Sequence, residues 1–207
     1  KQFEDQFGSD KFVFFLLRTE NAFSTHTLSQ LKEIESAVAS ITYRDQQAFA
    51  ETTHLGNVKY IQSSPDGINV IGMGDGLGTS PDDLAELKRR ATETALYEGL
   101  LFASDGKAVG LIAKLAHFPN DGEFHHHITH ELRKRLQEPP LKQYDLLMAG
   151  GPILDTDMDM VSIEEAGLFG GLGMVLNMLV MILLFRNMAG VAIPMALVGL
   201  TLIWTFG

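Results

Sequence analysis

Leu168–Phe185 reads LFGGLGMVLNMLVMILLF, and Ala189–Phe206 reads AGVAIPMALVGLTLIWTF. Each stretch has 18 residues and no charge, and Asn177 is the one strongly polar side chain of the first. A helix rises 1.5 Å per residue, so each covers about 27 Å, close to the roughly 30 Å of a bilayer's hydrocarbon core. Only Arg186-Asn187-Met188 separates them, which predicts a transmembrane helical hairpin at about 168–185 and 189–206. The competing reading, a buried pair inside a water-soluble core, fails on size. The other 166 residues could hardly wrap two uncharged helices.

Outward from this hairpin the composition changes. The chain has 207 residues, 16 Lys+Arg and 26 Asp+Glu, and Arg186 is the only charge after Ala166. Residues 1–166 therefore hold the other 15 basic and all 26 acidic side chains, a net of −11. An acidic surface repels phosphate backbones, which excludes nucleic acid as a partner. There is no cysteine, hence no disulfide framework, thiolate zinc site or Cys nucleophile. The chain begins at Lys1 and stops at Gly207 within the second apolar run, so it reads as part of something longer. Short basic turns stay on the cytoplasmic side, so Arg186 predicts a cytoplasmic turn and an extracytoplasmic acidic domain. Gly167 and Gly171 form a small-xxx-small pair and, with Asn177, are the candidates for helix packing. Pro194 removes a backbone hydrogen bond from the second helix and kinks it.

The acidic part alternates strand and helix. Lys11–Arg18, KFVFFLLR, is a buried strand, with Phe12 and Phe14 on one face and Phe15 on the other. Leu28, Leu31, Ile34, Val38 and Ile41 recur at helical spacing after the cap residues Ser24 and Thr25. Asn57–Gln62 is a second strand. Ser80-Pro81-Asp82-Asp83 opens a helix running to about Leu96. Leu100–Ser104 and Lys107–Ala116 flank Asp105-Gly106, a strong hairpin signal. A helix capped by Asn120 or Asp121 carries Phe124, Ile128, Leu132 and Leu136, and Pro139-Pro140 ends it. Tyr144–Ala149 is the last strand, and from about Asp157 a helix runs on into the membrane. Without the Pro81–Leu96 helix the order is β-α-β-β-α-β, the ferredoxin-like split unit. The expected fold class is therefore α+β, a split β-α-β domain at 1–155 followed by the two membrane helices within 156–207. Helices cover one sheet face and leave the other free for a partner or a second copy.

Several motifs invite chemistry and do not sustain it. Gly72-Met73-Gly74-Asp75-Gly76-Leu77-Gly78-Thr79 lacks both the phosphate-loop lysine and GxGxxG spacing, so it reads as a flexible linker. His125-His126-His127 and His130 lack the HExxH arrangement and read as a polar helix face, so no metal is expected. Asp155, Asp157 and Asp159 start like a calcium loop, but position six is Met160 and position twelve Ala166. No GxSxG elbow is present. Lys88-Arg89-Arg90 and Arg133-Lys134-Arg135 read as solvated helix faces. No enzyme activity and no cofactor are expected.

The chain resembles the resistance–nodulation–division (RND) superfamily of exporters. The nearest branch is that of the large mycobacterial membrane proteins and hopanoid exporters, distantly like Patched. The residues that carry the resemblance are Phe7-Gly8-Ser9-Asp10, Ala103-Ser104-Asp105-Gly106-Lys107-Ala108, Leu184-Phe185-Arg186-Asn187, Ile193-Pro194 and Trp204-Thr205-Phe206-Gly207. The resemblance implies a periplasmic porter domain after a first membrane helix, followed by the second and third helices. It implies a multi-pass protein of the inner membrane that drives hydrophobic or lipid-like cargo outward with protons. The proton-relay carboxylates of that superfamily lie further along and have no counterpart in this chain. Expected partners are the lipid bilayer, the cargo, the other helices and a second porter domain, with a homo-oligomer compatible. Phe12, Phe14, Phe102 and Phe118 are the candidate substrate-binding residues, because a lipid is bound chiefly by area removed from water. The alternatives are a membrane-anchored extracytoplasmic binding or scaffold domain without transport, and a His-based metalloenzyme.

Overall fold

The computed structural model describes residues 11–64, 67–118, 121–185 and 188–206. In chain order the elements are β1 (Phe12–Arg18), α1 (Thr25–Ala39), β2 (Thr42–Tyr43), β3 (Gln46–Gln47), β4 (Phe49–His54), β5 (Lys59–Ser64), β6 (Gly67–Gly72) and α2 (Pro81–Glu93). There follow β7 (Ala108–Leu115), α3 (Glu123–Leu136), a 3-10 turn (Leu141–Gln143), β8 (Leu146–Gly150), α4 (Gly151–Phe185) and α5 (Met188–Phe206). The chain divides into two compact units, Lys1–Thr156 and Asp157–Gly207.

In the first unit β1 is a central strand of an antiparallel sheet ordered β4-β7-β1-β8. With α1 and α3 as the two crossovers, this is the split β-α-β topology. One sheet face carries Val13, Phe15, Leu17, Val109, Leu111, Ala113 and Leu115, all buried. They form one apolar core with Leu31, Ile34 and Val38 of α1 and Phe124, Ile128 and Leu132 of α3. Each helix contributes the stripe that recurs at steps of three and four, because only that stripe faces the sheet. Ser24 caps α1 by accepting from the Thr27 amide at 3.1 Å. Ser80 and Asp83 form a reciprocal capping box with Pro81 in the first turn of α2.

The middle of the unit differs from the sequence reading. The second strand of the sheet is β4, within FAETTH, and not Asn57–Gln62. Residues 59–64 instead pair with β6 in a separate hairpin, Tyr60 opposite Ile71. Leu100–Ser104 is not a strand either; Phe102 makes only single bridges, to Val109 and to Glu98. The amides of Gly99, Leu100 and Leu101 are taken by carbonyls of Phe102 and Tyr97, which curls the segment into turns. Asp105-Gly106 is nonetheless a tight turn, with Gly106 at φ +68° and its amide on the Ala103 carbonyl. The cap of α3 also differs. Gly122 stands at the cap position, and Asp121 accepts from the Glu123 amide. Asn120 lies outside the described residues. α4 begins at Gly151 and not near Asp157. Its first turn is anchored by Thr129 and Thr156, whose buried hydroxyls both donate to the Pro152 carbonyl, at 3.2 and 2.9 Å.

β4 is tied to α1 by a polar cluster. The His54 ring is 3% exposed. Its Nδ1 accepts from the Gly56 amide at 3.0 Å, so the neutral ring carries its proton on Nε2, which faces Glu35 Oε2 at 3.2 Å. Glu35 Oε1 also accepts from Thr52 Oγ1 at 2.8 Å and from Asn57 Nδ2 at 3.2 Å. Burial pushes the His54 imidazole below its ordinary 6.5, and this outweighs the opposing pull of Glu35.

In the second unit, α4 and α5 carry almost entirely exposed apolar side chains, among them Leu168, Phe169, Leu172, Leu183 and Trp204. Among the described residues one helix, Gly151–Leu184, is long and apolar enough to cross a membrane, with a mean hydropathy of 2.2 in its most apolar stretch and none of that stretch buried. Gly190–Thr205 is apolar and shorter. Pro194 lies inside α5.

Two outcomes are expected. A Cβ on Gly110 would stand 2.4 Å from the Leu100 carbonyl oxygen and 2.8 Å from the Phe14 ring. Gly110→Ala should therefore destabilise the domain by about 1–3 kcal/mol in a denaturant titration, through forced displacement of backbone. For His54, the unfolded chain takes up a proton below about pH 6.5 that the folded chain resists, so stability is lost as pH falls through that range. Thermal melts at pH 7.5 and 5.5 should show a larger loss for the parent than for His54→Gln.

Candidate functional site

The uncovered face of the sheet is the candidate site. Alternation along β1 places Phe12, Phe14 and Leu16 there, opposite the core residues. Register brings Ile112 and Ala149 beside Phe14, and Leu147 and Gly110 beside Leu16. Phe12 is 51% exposed and Leu147 48%, large values for apolar side chains on adjacent strands. Charge is kept to the margin. Lys114 pairs in register with Phe12 and Glu51, and Arg18 meets Asp145 at 3.5 Å. The Phe14 ring lies against Gly110, where any side chain would collide with it. The face is thus a shallow apolar sheet surface with a polar rim, suited to contact by area and not to bond-making chemistry.

The four aromatic candidates do not converge. Phe12 and Phe14 share the open face. Phe102 is buried in the core, edge-on to Phe23 with ring centres 5.4 Å apart. Phe118 belongs to an aromatic group with Tyr43 at 5.2 Å and Phe124 at 4.4 Å. The sequence reading missed Leu16, Ile112, Leu147 and Ala149. The alternation in YDLLMA carried the signal for the last two, but their face follows only from the pairing with β1.

The histidines of α3 lie on a polar helix face, with His126, His127 and His130 exposed and His125 half-buried. The His127 ring lies 5.0 Å from that of Tyr43, tilted by 53°, and His130 Nδ1 lies 3.8 Å from Glu131. Burial and nearby Lys11 lower the His125 imidazole. Among the described residues no three His, Asp or Glu side chains converge into a metal-holding group. Asp155 reaches Lys11 at 4.0 Å. The basic run on α2 is not wholly solvated. Arg90 is largely buried and donates to the Met73 and Asp75 carbonyls and to Glu86. Arg89 and Arg90 together hold the Glu86 carboxyl down to about 2.

The glycine-rich stretch is a pinned turn, not the flexible linker expected. Met73 and Gly74 donate to the Val58 and Gly56 carbonyls at 2.7 and 3.0 Å. A Cβ on Gly74 would stand 2.6 Å from the Gly56 oxygen, so this close approach requires glycine.

In the second unit nothing stands within 4 Å of a Cβ built on Gly167 or Gly171. Asn177 lines a groove of about 280 Å³ with Gly170, Gly173 and Met174 of α4 and Pro194 and Val198 of α5. Arg186 lies outside the described residues.

No curated protein sequence matches the chain. The model of one family, the MMPL family, matches residues 17–207, which takes in the first unit from the end of β1 onward and the apolar helices. A match over nearly the whole chain, on a domain with one uncovered apolar sheet face and an uncovered apolar helix, shows that this chain belongs to the MMPL family.

Proposed function

We propose that the chain supplies a periplasmic porter domain, within 1–155, and two membrane helices, at about 168–185 and 189–206, to a proton-driven exporter of the inner membrane. The family consists of transporters of lipid-like substrates of the RND type, and that much comes with membership. The proposal adds the cleft, the orientation and the energy source. In it, Phe12 and Phe14 form one wall of a path for cargo leaving the outer leaflet. Phe102 and Phe118 stiffen the domain behind that wall. Gly167, Gly171 and Asn177 meet helices supplied by the rest of the exporter, and Arg186 marks the cytoplasmic turn.

The observation that carries the reading is the apolar face built from Phe12, Phe14, Leu16, Ile112 and Leu147, which no helix covers among the described residues, in a domain of net −7 over residues 1–155. A face of this kind draws apolar cargo out of water at about 25 cal/mol per Å² buried, with no need of directional bonds. The proposal assigns energy coupling to the rest of the exporter and cargo contact to this segment.

Two experiments test it. A photo-reactive benzoylphenylalanine at position 12, with the protein in lipid vesicles, should cross-link lipid on illumination, whereas the same group at Glu33 should not. Equal yields at both positions would remove the case for an apolar path. Because the chain has no cysteine, single introduced cysteines report topology cleanly. Lys142→Cys should react with an impermeant maleimide in cells whose outer membrane alone has been opened. Arg186→Cys should react only after the inner membrane is permeabilised, and Leu176→Cys in neither case. The opposite order would invert the proposed orientation.

A further inference from the structure

A second groove, of about 440 Å³, lies away from the open sheet face, between α1, the His54–Gly56 turn and the pinned glycine turn leading into α2. That volume is within the range of small-molecule sites, roughly 300–1,000 Å³. Its walls are preformed. The glycine turn is held by backbone bonds to Val58 and Gly56 and by Arg90, and the opposite side is a capped helix.

The lining sorts by chemistry. Leu28, Leu77 and Leu87 give an apolar seat. Thr25, Ser29 and Thr79 offer hydroxyls, and Thr25, Leu28, Ser29 and Lys32 share one face of the first turns of α1. Lys32 is the only charged side chain in the lining. The acids nearby are already engaged. Glu35 is bound to His54, Thr52 and Asn57, and Asp83 is turned back onto Ser80 Oγ at 2.6 Å. A lone ammonium beside hydroxyl donors, in a part of the chain with net charge −11, is a local reversal of sign.

We propose that this groove binds the anionic head, phosphate or carboxylate, of an amphiphile, with Lys32 as its counter-charge and Leu28, Leu77 and Leu87 seating the first carbons of its chain. The ammonium acts as a point charge and the hydroxyls donate to the remaining oxygens. His54, in the floor, touches the site without binding the anion, because its two ring nitrogens are occupied by Gly56 and Glu35. The inference stands on the groove alone and does not need the open face to carry cargo.

The test uses the full chain in a non-ionic detergent, with hexyl phosphate, inorganic phosphate and hexanol as probes. Binding is followed by calorimetry against empty micelles and by the NMR signals of the His54 ring. Hexyl phosphate should shift the His54 signals. Lys32→Met should weaken its binding by about tenfold, and Lys32→Arg should largely retain it. Lys32 is exposed, so neither change should alter melting. Hexanol should bind weakly and equally to parent and Lys32→Met. Inorganic phosphate binding nearly as well as the ester supports the site with a free anion as its ligand, and binding about tenfold weaker supports it with an amphiphile. Unmoved His54 signals, or equal affinity of the Lys32→Met chain for hexyl phosphate, would overturn the proposal.

Discussion

Water cannot solvate the surface that α4 and α5 present. Side chain after side chain from Leu168 to Ile203 is apolar, and among the described residues none covers the apolar stretch of α4. In a helix every backbone amide and carbonyl finds its partner within the segment, so such a surface is stable in hydrocarbon. Lipid is thus as much a determinant of this fold as the core of the first unit. The sharp change in composition after Ala166 follows directly: 41 charged side chains precede it and one follows.

The first unit solves a different problem. A four-stranded sheet with two crossover helices has apolar residues on both faces and helices enough to cover one. The covered face is filled by large branched and aromatic side chains, Phe15, Leu17 and Leu111 against Leu31, Ile34 and Ile128. The other face is kept shallow by glycine and alanine at Gly110 and Ala149, and is edged by Lys114, Glu51 and Arg18. Marginal charges limit adventitious association while leaving the apolar centre reachable.

Where the sequence was legible, it was because the pattern had a single cause. The length and aromatic content of KFVFFLLR favoured a strand with two apolar faces. The steps of three and four identified most of the buried stripes of α1 and α3, Leu31, Ile34 and Val38 in one and Phe124, Ile128 and Leu132 in the other, while the buried Thr27 and Thr129 carried no apolar signal. The 168–206 helices followed from length and hydropathy. The strand β4 was illegible because its inward residues are polar. Thr52 and His54 face α1 and are satisfied by Glu35, so FAETTH shows no apolar alternation, and a bulge between Phe49 and Glu51 breaks what period remains. The Asn57–Gln62 stretch has the right composition for a strand, yet that its partner is β6 and not the main sheet is a matter of pairing, which composition does not reveal. For the candidate site, Phe12 and Phe14 were readable from alternation. Their neighbours Ile112 and Leu147 required register, and Phe102 went into the core because the turns around Tyr97 leave no room for a strand. The pinned character of the glycine turn was likewise hidden, since it rests on Arg90 and on the approach of Gly74 to Gly56.

The threonine pair at the root of α4 has a mechanical corollary. Thr129 and Thr156 share the Pro152 carbonyl in a buried setting, and their own oxygens lie 3.2 Å apart. Proline already denies that turn one amide, so the carbonyl is its main polar handle. Twisting the root of α4 about its axis would strip the buried Thr129 hydroxyl of its acceptor, at about 1–3 kcal/mol, while the Thr156 bond lies within α4 and turns with it. The root of α4 and α3 are thus latched through one side chain, Thr129, which meets both Pro152 and Thr156.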